Sequence, residues 1–290
     1  MSKQANLVVA ATPITKAALF LLLLLITLAS NRGAIAANEA VFIVGIVPQF
    51  EIRQTHNIWT PILDELKKRT GYTFKLSSSA SIPNFEKQFT NGTFDFAYMN
   101  PYHLLIANNK QRYVPLIRDV GSDLRGILVV KKGTIHNINT LEGKIIAFPA
   151  PNALGASLMI RDDLNNQFKL KYQATYVKSH NSVYLNVLLG LAAAGGGVEN
   201  TLEQQPDDIR NNLEVIYTTK SFPSHPFASH PRVPIDVQNK VQQALLDFSN
   251  TPSGKAILTQ VPFKKIGRAN YNDYASITNL NLEQLSSQEQ

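Results

Sequence analysis

From residue 41 onward, short apolar runs alternate with stretches in which apolar residues recur every three or four positions. Val41 to Val47, VFIVGIV, is a continuous apolar run of strand length. Pro48 to Thr55 reads as a loop. Ile58, Ile62, Leu63 and Leu66 then recur at helical spacing up to Gly71, and Tyr72 to Leu76 alternates as a second strand. Ile82, Phe85 and Phe89 mark a helix ending near Asn91-Gly92. In FDFAYMNPYHLL, Phe94 to Leu105, a strand breaks at Asn100-Pro101, a favourable N-cap followed by a favourable first helical residue, and a new helical pattern begins. Helices alternating with strands imply a parallel sheet.

Two more strands are predicted at Val114 to Arg118 and Gly126 to Lys131, and then the pattern restarts. Ile145 to Phe148 reads as strand, Ala153 to Phe168 as helix, Tyr172 to Val177 as strand and Asn181 to Leu189 as helix. Ala192 to Val198 is a small-residue segment and Leu213 to Thr218 a strand. Pro234 to Phe248 and Pro252 to Leu258 read as helices, and the polar tail from Asn270 as loosely attached. The expectation is an α/β protein of two lobes, each a mostly parallel sheet flanked by helices. Residues 38–128 plus 219–290 form the first lobe and 129–218 the second, with two crossover strands near 126–131 and 213–219. Open α/β sheets bind ligands beyond the carboxyl ends of their strands, so the cleft between the lobes is the expected site.

The N-terminus changes the compartment. Lys3 and Lys16 precede AALFLLLLLITLA (17–29), an apolar run of about 13 residues, short of the ~20 that span a bilayer. Ala34-Ile35-Ala36 supplies small residues for a cleavage site. This is the pattern of a secretory signal peptide over residues 1–37, cut after Ala36 or Ala37. The chain has 28 Lys and Arg against 21 Asp and Glu; losing Lys3, Lys16 and Arg32 lowers the net charge from +7 to +4. No basic run has the density expected of a nucleic-acid or membrane patch. Cysteine is absent, which excludes disulfides, thiol catalysis and Cys-ligated metals. The expected location is the periplasm, with a monomer as the default state.

Several segments follow strand ends and so face one cleft: VPQFEIRQTHNIW (47–59), AYMNPYH (97–103), FPAPNALGAS (148–157), VKSHNSVY (177–184) and KSFPSHPF (220–227). Tyr98 stands beside the helix start at Pro101 and reads either as a core tyrosine or as a hydroxyl donor to an anion held there. His180, flanked by Ser179 and Ser182, either helps cap the helix that Ser179 or Asn181 starts or meets an anion. Trp59, the sole Trp, reads as a helix residue that also touches the cleft. His225 and His230, each before a proline or near one and without a carboxylate cluster, form a poor metal set. The GGG at 195–197 lacks the Lys-Ser/Thr of a phosphate-binding loop, and no nucleophile elbow exists. No cofactor, metal or enzymatic activity is expected.

The order and spacing of DFAYMNPYH, LEGKIIAFPAPNALGAS, YVKSHNSVYLNVLLG and TTKSFPSHPF resemble the phosphate/phosphite/phosphonate-binding proteins of ABC importers over residues 41–260. That resemblance implies a type II periplasmic binding fold that closes on a small oxyanion and hands it to a permease and its ATPase. A sensing module that signals to a membrane receptor such as a sensor kinase is the alternative. The resemblance implies that Tyr98 and His180 contact the anionic group, that Trp59 lines the pocket and that Glu199 meets a ligand amine. Where phosphonate binders carry Ser-Thr-Ser-Gly at the start of the second lobe's long helix, this chain has Asn152, Ala153, Leu154 and Gly155. Three hydroxyls are replaced by one amide and two apolar side chains, while the helix start and its N–H groups remain.

Overall fold

A computed structural model describes residues 40–261 and 263–279. The expected signal peptide therefore lies outside the described residues. Beginning at Val41, the chain runs β1 (Val41–Ile46), α1 (Ile52–Thr70), β2 (Thr73–Ser77), α2 (Ile82–Thr90), β3 (Phe96–Tyr98), α3 (Pro101–Gln111) and β4 (Val114–Asp119). It continues through β5 (Gly126–Lys131), β6 (Ile145–Phe148), a π-turn (Leu154–Met159) that leads into α4 (Ile160–Asn166), β7 (Gln173–Tyr176), α5 (His180–Leu188) and β8 (Ala194–Val198). Then come α6 (Glu199–Glu203), α7 (Asp207–Arg210), β9 (Leu213–Thr218), β10 (Phe227–Ser229), α8 (Ile235–Ser249), α9 (Pro252–Leu258) and β11 (Ile266–Arg268).

The local signals act as expected. Helix α1 buries Ile58, Trp59, Ile62, Leu63 and Leu66 on one face and stops at Gly71, whose φ of 75° is open to glycine. It starts at Ile52, inside the stretch predicted as loop. Ser81 caps α2 by accepting the Asn84 N–H. Asp95, just before β3, accepts the Ile43 N–H at 2.7 Å and pairs with Arg232, so it ties β3 to β1 rather than facing a ligand.

The strands form two sheets, β11-β4-β10-β3-β1-β2 and β7-β6-β8-β5-β9. Both are mixed, not mostly parallel. β1 is parallel to β2 and β3, and β6 to β7 and β8, but β10, β11, β5 and β9 all pair antiparallel. The cause is the chain's return: the segment after 219 contributes two three-residue strands to the first sheet, too short to leave an alternating pattern. The expected crossover strands at 126–131 and 213–219 pair with each other within the second sheet. The crossing lies just outside them, where Leu124 and Phe222 exchange hydrogen bonds of 2.7 and 2.9 Å. The described part of the tail, residues 270–279, is docked rather than loose. Tyr274 and Ile277 are buried, and the Tyr274 hydroxyl donates to the Ser224 carbonyl at 3.2 Å.

Both sheets belong to one compact unit that starts at Val41. The core around the first sheet takes in Ala153, Leu154, Ala156 and Val198 from the second. Burying apolar side chains of this kind contributes about 1.5–3 kcal/mol for each large one. Among the described residues no helix is long and apolar enough to cross a membrane.

Candidate functional site

Two helix starts approach the line where the sheets meet. The first belongs to α3. Its N-cap Asn100 accepts the His103 N–H through Oδ1 at 2.8 Å and the Leu104 N–H through its carbonyl at 3.1 Å. Pro101 has no N–H to offer. The second is the π-turn after β6. Its N-cap, Ala153, supplies no side-chain cap, and its carbonyl takes the N–H groups of both Ser157, at 2.7 Å, and Leu158, at 3.1 Å. The N–H groups of Leu154, Gly155 and Ala156 meet no acceptor among the described residues. Such a helix start carries a partial positive charge and is suited to an anion.

Glycines make this approach possible. A Cβ on Gly196 would stand 2.0 Å from the Ala156 carbonyl oxygen. The small-residue stretch around the GGG is therefore strand β8, kept bare so that the π-turn can lie on it. A Cβ on Gly155 would in turn press Val198 at 2.7 Å.

Two small cavities meet here, and they share Gln49, Val198 and His225. One, about 20 Å³, is lined by Asn100, His180 and the turn Ala153–Ala156. The other, about 40 Å³, is lined by Tyr98, Ser224, Arg125, Lys264, Glu199 and Asp123, among others. One water needs roughly 10–15 Å³ on this measure, so the pair suits a compact group of a few heavy atoms. A larger recess of about 630 Å³ runs between Glu203 and Lys255, and none of the sequence-predicted site residues lines it. Among the described residues Arg125, Lys264, Glu199 and Asp123 form no ion pair with one another, so both signs line the second of the two small cavities.

The protonation states follow from burial. The Tyr98 ring is held by Trp59 at 5.0 Å, by Phe263 at 5.6 Å and by the stacked His225 at 5.4 Å. Burial first, then the charge of Asp119, pushes its hydroxyl well above the usual tyrosine range, so it remains a donor. Burial lowers His180 to about 4. Burial, with His103 and His180 nearby, lowers His225 to about 3. Both rings are neutral near pH 7. The Asp119 carboxyl accepts the N–H groups of Gly121, Lys264 and Lys265, and its carbonyl accepts the Ser224 hydroxyl at 2.7 Å. This fixes the segment that carries His225.

The residues singled out in the sequence fall into four groups. Tyr98, His180, Ala153, Leu154, Gly155 and Glu199 line the joined cavities. Trp59 is buried behind Tyr98 and stacks near Phe227; it lines neither cavity. Ser179 is the N-cap of α5, accepting the Ser182 N–H, and Asn181 accepts from Gln205, so both support the helix from outside the cavity. Asn152 bridges the sheets instead. Its carbonyl accepts the Asn100 amide at 3.2 Å and its own amide donates to Glu86 at 3.2 Å, while Glu86 also accepts from His103 at 3.0 Å. Gln49, His225, Arg125 and Lys264 were not foreseen as lining residues. Gln49 and His225 do lie in two of the segments predicted to face the cleft.

Comparison with known proteins follows the same line. Residues 44–274 match the family described as the ABC transporter, phosphonate, periplasmic substrate-binding protein. The fold is similar to that of PhnD1 from Prochlorococcus marinus in complex with methylphosphonate, with a TM-score of 0.77 at 17% identity, covering 86% of this chain and 100% of that one. It is equally similar, at 0.77, to the binding protein component of an ABC phosphonate transporter from Pseudomonas aeruginosa, at 15% identity over 86% and 87% of the two chains. A putative L-cystine ABC transporter protein from Listeria monocytogenes aligns at 0.59 and 16% identity over 78% and 98%, so the architecture alone does not name a ligand.

Proposed function

The chain belongs to the family of periplasmic substrate-binding proteins of phosphonate ABC transporters, and from that premise we propose that it captures a small phosphorus oxyanion (phosphate, phosphite or a compact phosphonate) between its two sheets for delivery to a permease and its ATPase. One observation carries the reading: Tyr98, two buried histidines and a turn with three backbone N–H groups that meet no acceptor among the described residues line adjoining cavities of about 20 and 40 Å³.

In this reading the N–H groups of Leu154, Gly155 and Ala156 receive the anion, and Tyr98 donates from the first sheet. Glu199, lining the second cavity, suits a ligand amine. Ala153 and Leu154 replace hydroxyls with packing: they bury against the first-sheet core, and Asn152 clips the halves together. Closure removes water, which strengthens each hydrogen bond to the anion. The closed form is then the species the permease selects, by population shift. The two sheets, meeting at the Leu124–Phe222 bridge, support a division into lobes at 38–128 plus 219–290 and 129–218. The family match favours uptake over sensing. Export by cleavage of residues 1–37 and a monomeric state complete the proposal; no catalytic step is included.

The test is a thermal-shift and calorimetric screen of phosphate, phosphite, methylphosphonate, 2-aminoethylphosphonate and sulfate. A cognate ligand at 100 times its Kd stabilises the protein by about 2.7 kcal/mol. Binding of one phosphorus oxyanion is expected; binding of none of them would overturn the reading.

A further inference from the structure

We propose that Thr201 fixes the tautomer of His180 so that the cleft accepts its oxyanion only with a proton, shared between a ligand oxygen and His180 Nε2. The inference rests on the oxyanion reading above and adds a selection rule to it.

The argument is one of hydrogen counting. Thr201 Oγ1 lies 2.9 Å from the Val198 carbonyl, 2.7 Å from the Tyr184 hydroxyl and 3.1 Å from His180 Nδ1. All of these groups are buried. The Val198 carbonyl only accepts, one helical turn before Thr201; the Tyr184 hydroxyl also reaches it, at 3.3 Å, but its 2.7 Å contact with Oγ1 is the shorter, so Tyr184 donates to Oγ1 and the Thr201 hydroxyl donates to the carbonyl. The lone pairs of Oγ1 are then left for the Tyr184 O–H and the His180 Nδ1–H. The neutral ring carries its one hydrogen on Nδ1, and Nε2 is a bare lone pair. The ring lies against the cavity that the open helix start also lines. A fully deprotonated oxyanion would therefore set lone pair against lone pair. An oxyanion that keeps one proton donates it to Nε2, while its remaining oxygens take the N–H groups of the turn.

His225 contrasts with His180. Neither of its ring nitrogens has a hydrogen-bond partner among the described residues, so it is free to take either tautomer. The other titratable groups around these rings are Tyr184 on the same helix, Tyr98 on β3 and His103 on α3, paired with Glu86. The charges of the adjoining cavity are Arg125 and Lys264 against Asp123 and Glu199. His180 is held near 4 by burial, so the empty site does not supply the proton near pH 7. The proton comes with the ligand's own acid group or, when the ligand is a dianion, from solvent. No bond to phosphorus changes.

The experiment is calorimetric titration of the purified protein with methylphosphonate from pH 6 to 9, in buffers of differing ionisation heat. Above the ligand's second ionisation, about one proton should be taken up per ligand and affinity should fall about tenfold per pH unit. Sulfate, which has no proton to offer at these pH values, should bind more weakly by roughly 10⁴-fold. Thr201→Val frees the ring to turn an N–H toward the cavity and should flatten the pH profile and narrow the sulfate gap. Thr201→Ser keeps the hydroxyl and should retain both. Binding that is tight but independent of pH, with no proton uptake, overturns the inference and leaves the oxyanion reading standing. No binding of phosphate, phosphite, methylphosphonate or 2-aminoethylphosphonate at any pH overturns both.

Discussion

The two helix starts at the cleft have opposite fates. At α3, Asn100 and Pro101 use up the ends of the helix: one caps it and the other lacks an N–H. At the π-turn, Ala153 caps nothing and three N–H groups stay open beside a cavity. A good cap stabilises a helix by about 1 kcal/mol, so an uncapped start facing a small cavity forgoes stability that a bound anion can restore. The asymmetry divides the labour. In the proposed site the second sheet would offer backbone donors and His180, and the first the side chains of Tyr98, Gln49 and His225.

Making the second start resemble the first is the most disruptive change. Ala153→Asp places a capping carboxylate on the open N–H groups and repels an anion. Ligand affinity should fall by at least about 4 kcal/mol, since each hydrogen bond to a charged oxygen is worth ~1.5–3 kcal/mol. Urea denaturation should show the fold intact; unchanged affinity would break the comparison. The next effect is on stability. His180 and His225 are buried neutral, with pKa values below the unfolded ~6.5. As pH falls below about 6.5, the unfolded chain binds protons that the native one refuses, so stability is full above 6.5 and is lost down to about 4 for His180 and about 3 for His225. Each contributes on the order of 3 kcal/mol. Denaturant melts at pH 7 and 5 should show the loss, and His180→Gln should reduce it; an identical loss in the variant would contradict the burial argument.

Smaller changes sharpen the first-sheet side. Tyr98→Phe removes one donor and keeps the ring against Trp59 and His225, so affinity should drop by about 1.5 kcal/mol with little loss of stability. Asn152→Ala removes the amide that reaches Glu86 but leaves the carbonyl that Asn100 reaches. It should raise the ligand off-rate by a factor of about 5, equivalent to ~1 kcal/mol. Stopped-flow displacement measures it, and an unchanged off-rate would mean the clip does not hold the closed form.

The elements that were legible in the sequence are those whose signal is local. VFIVGIV declares β1 by apolar continuity, Ile82, Phe85 and Phe89 mark α2, and Asn100 announces α3 by the hydrogen bond it then makes. What stayed hidden depends on contacts between distant residues. Strands β10 and β11 are three residues each and exist because β3 and β4 offer them edges. Tyr274 and Ile277 sit in a polar tail and show their purpose only once buried. Asn152 looks like a lost hydroxyl until Glu86 and Asn100, 66 and 52 residues away, are seen beside it. His225 gave a weak metal signal and turned out to stack on Tyr98. The departure at 152–154 falls on a turn whose residues 153–156 line a cavity, and a backbone N–H group needs no particular side chain.

The most direct test of the central claim is the amide NMR spectrum of the ¹⁵N-labelled protein during titration with methylphosphonate. The account predicts large downfield shifts of the Leu154, Gly155 and Ala156 amide protons on saturation, with the His103 and Leu104 amides nearly unmoved. Saturable binding that leaves residues 154–156 in place, or that moves the α3 start instead, would contradict it.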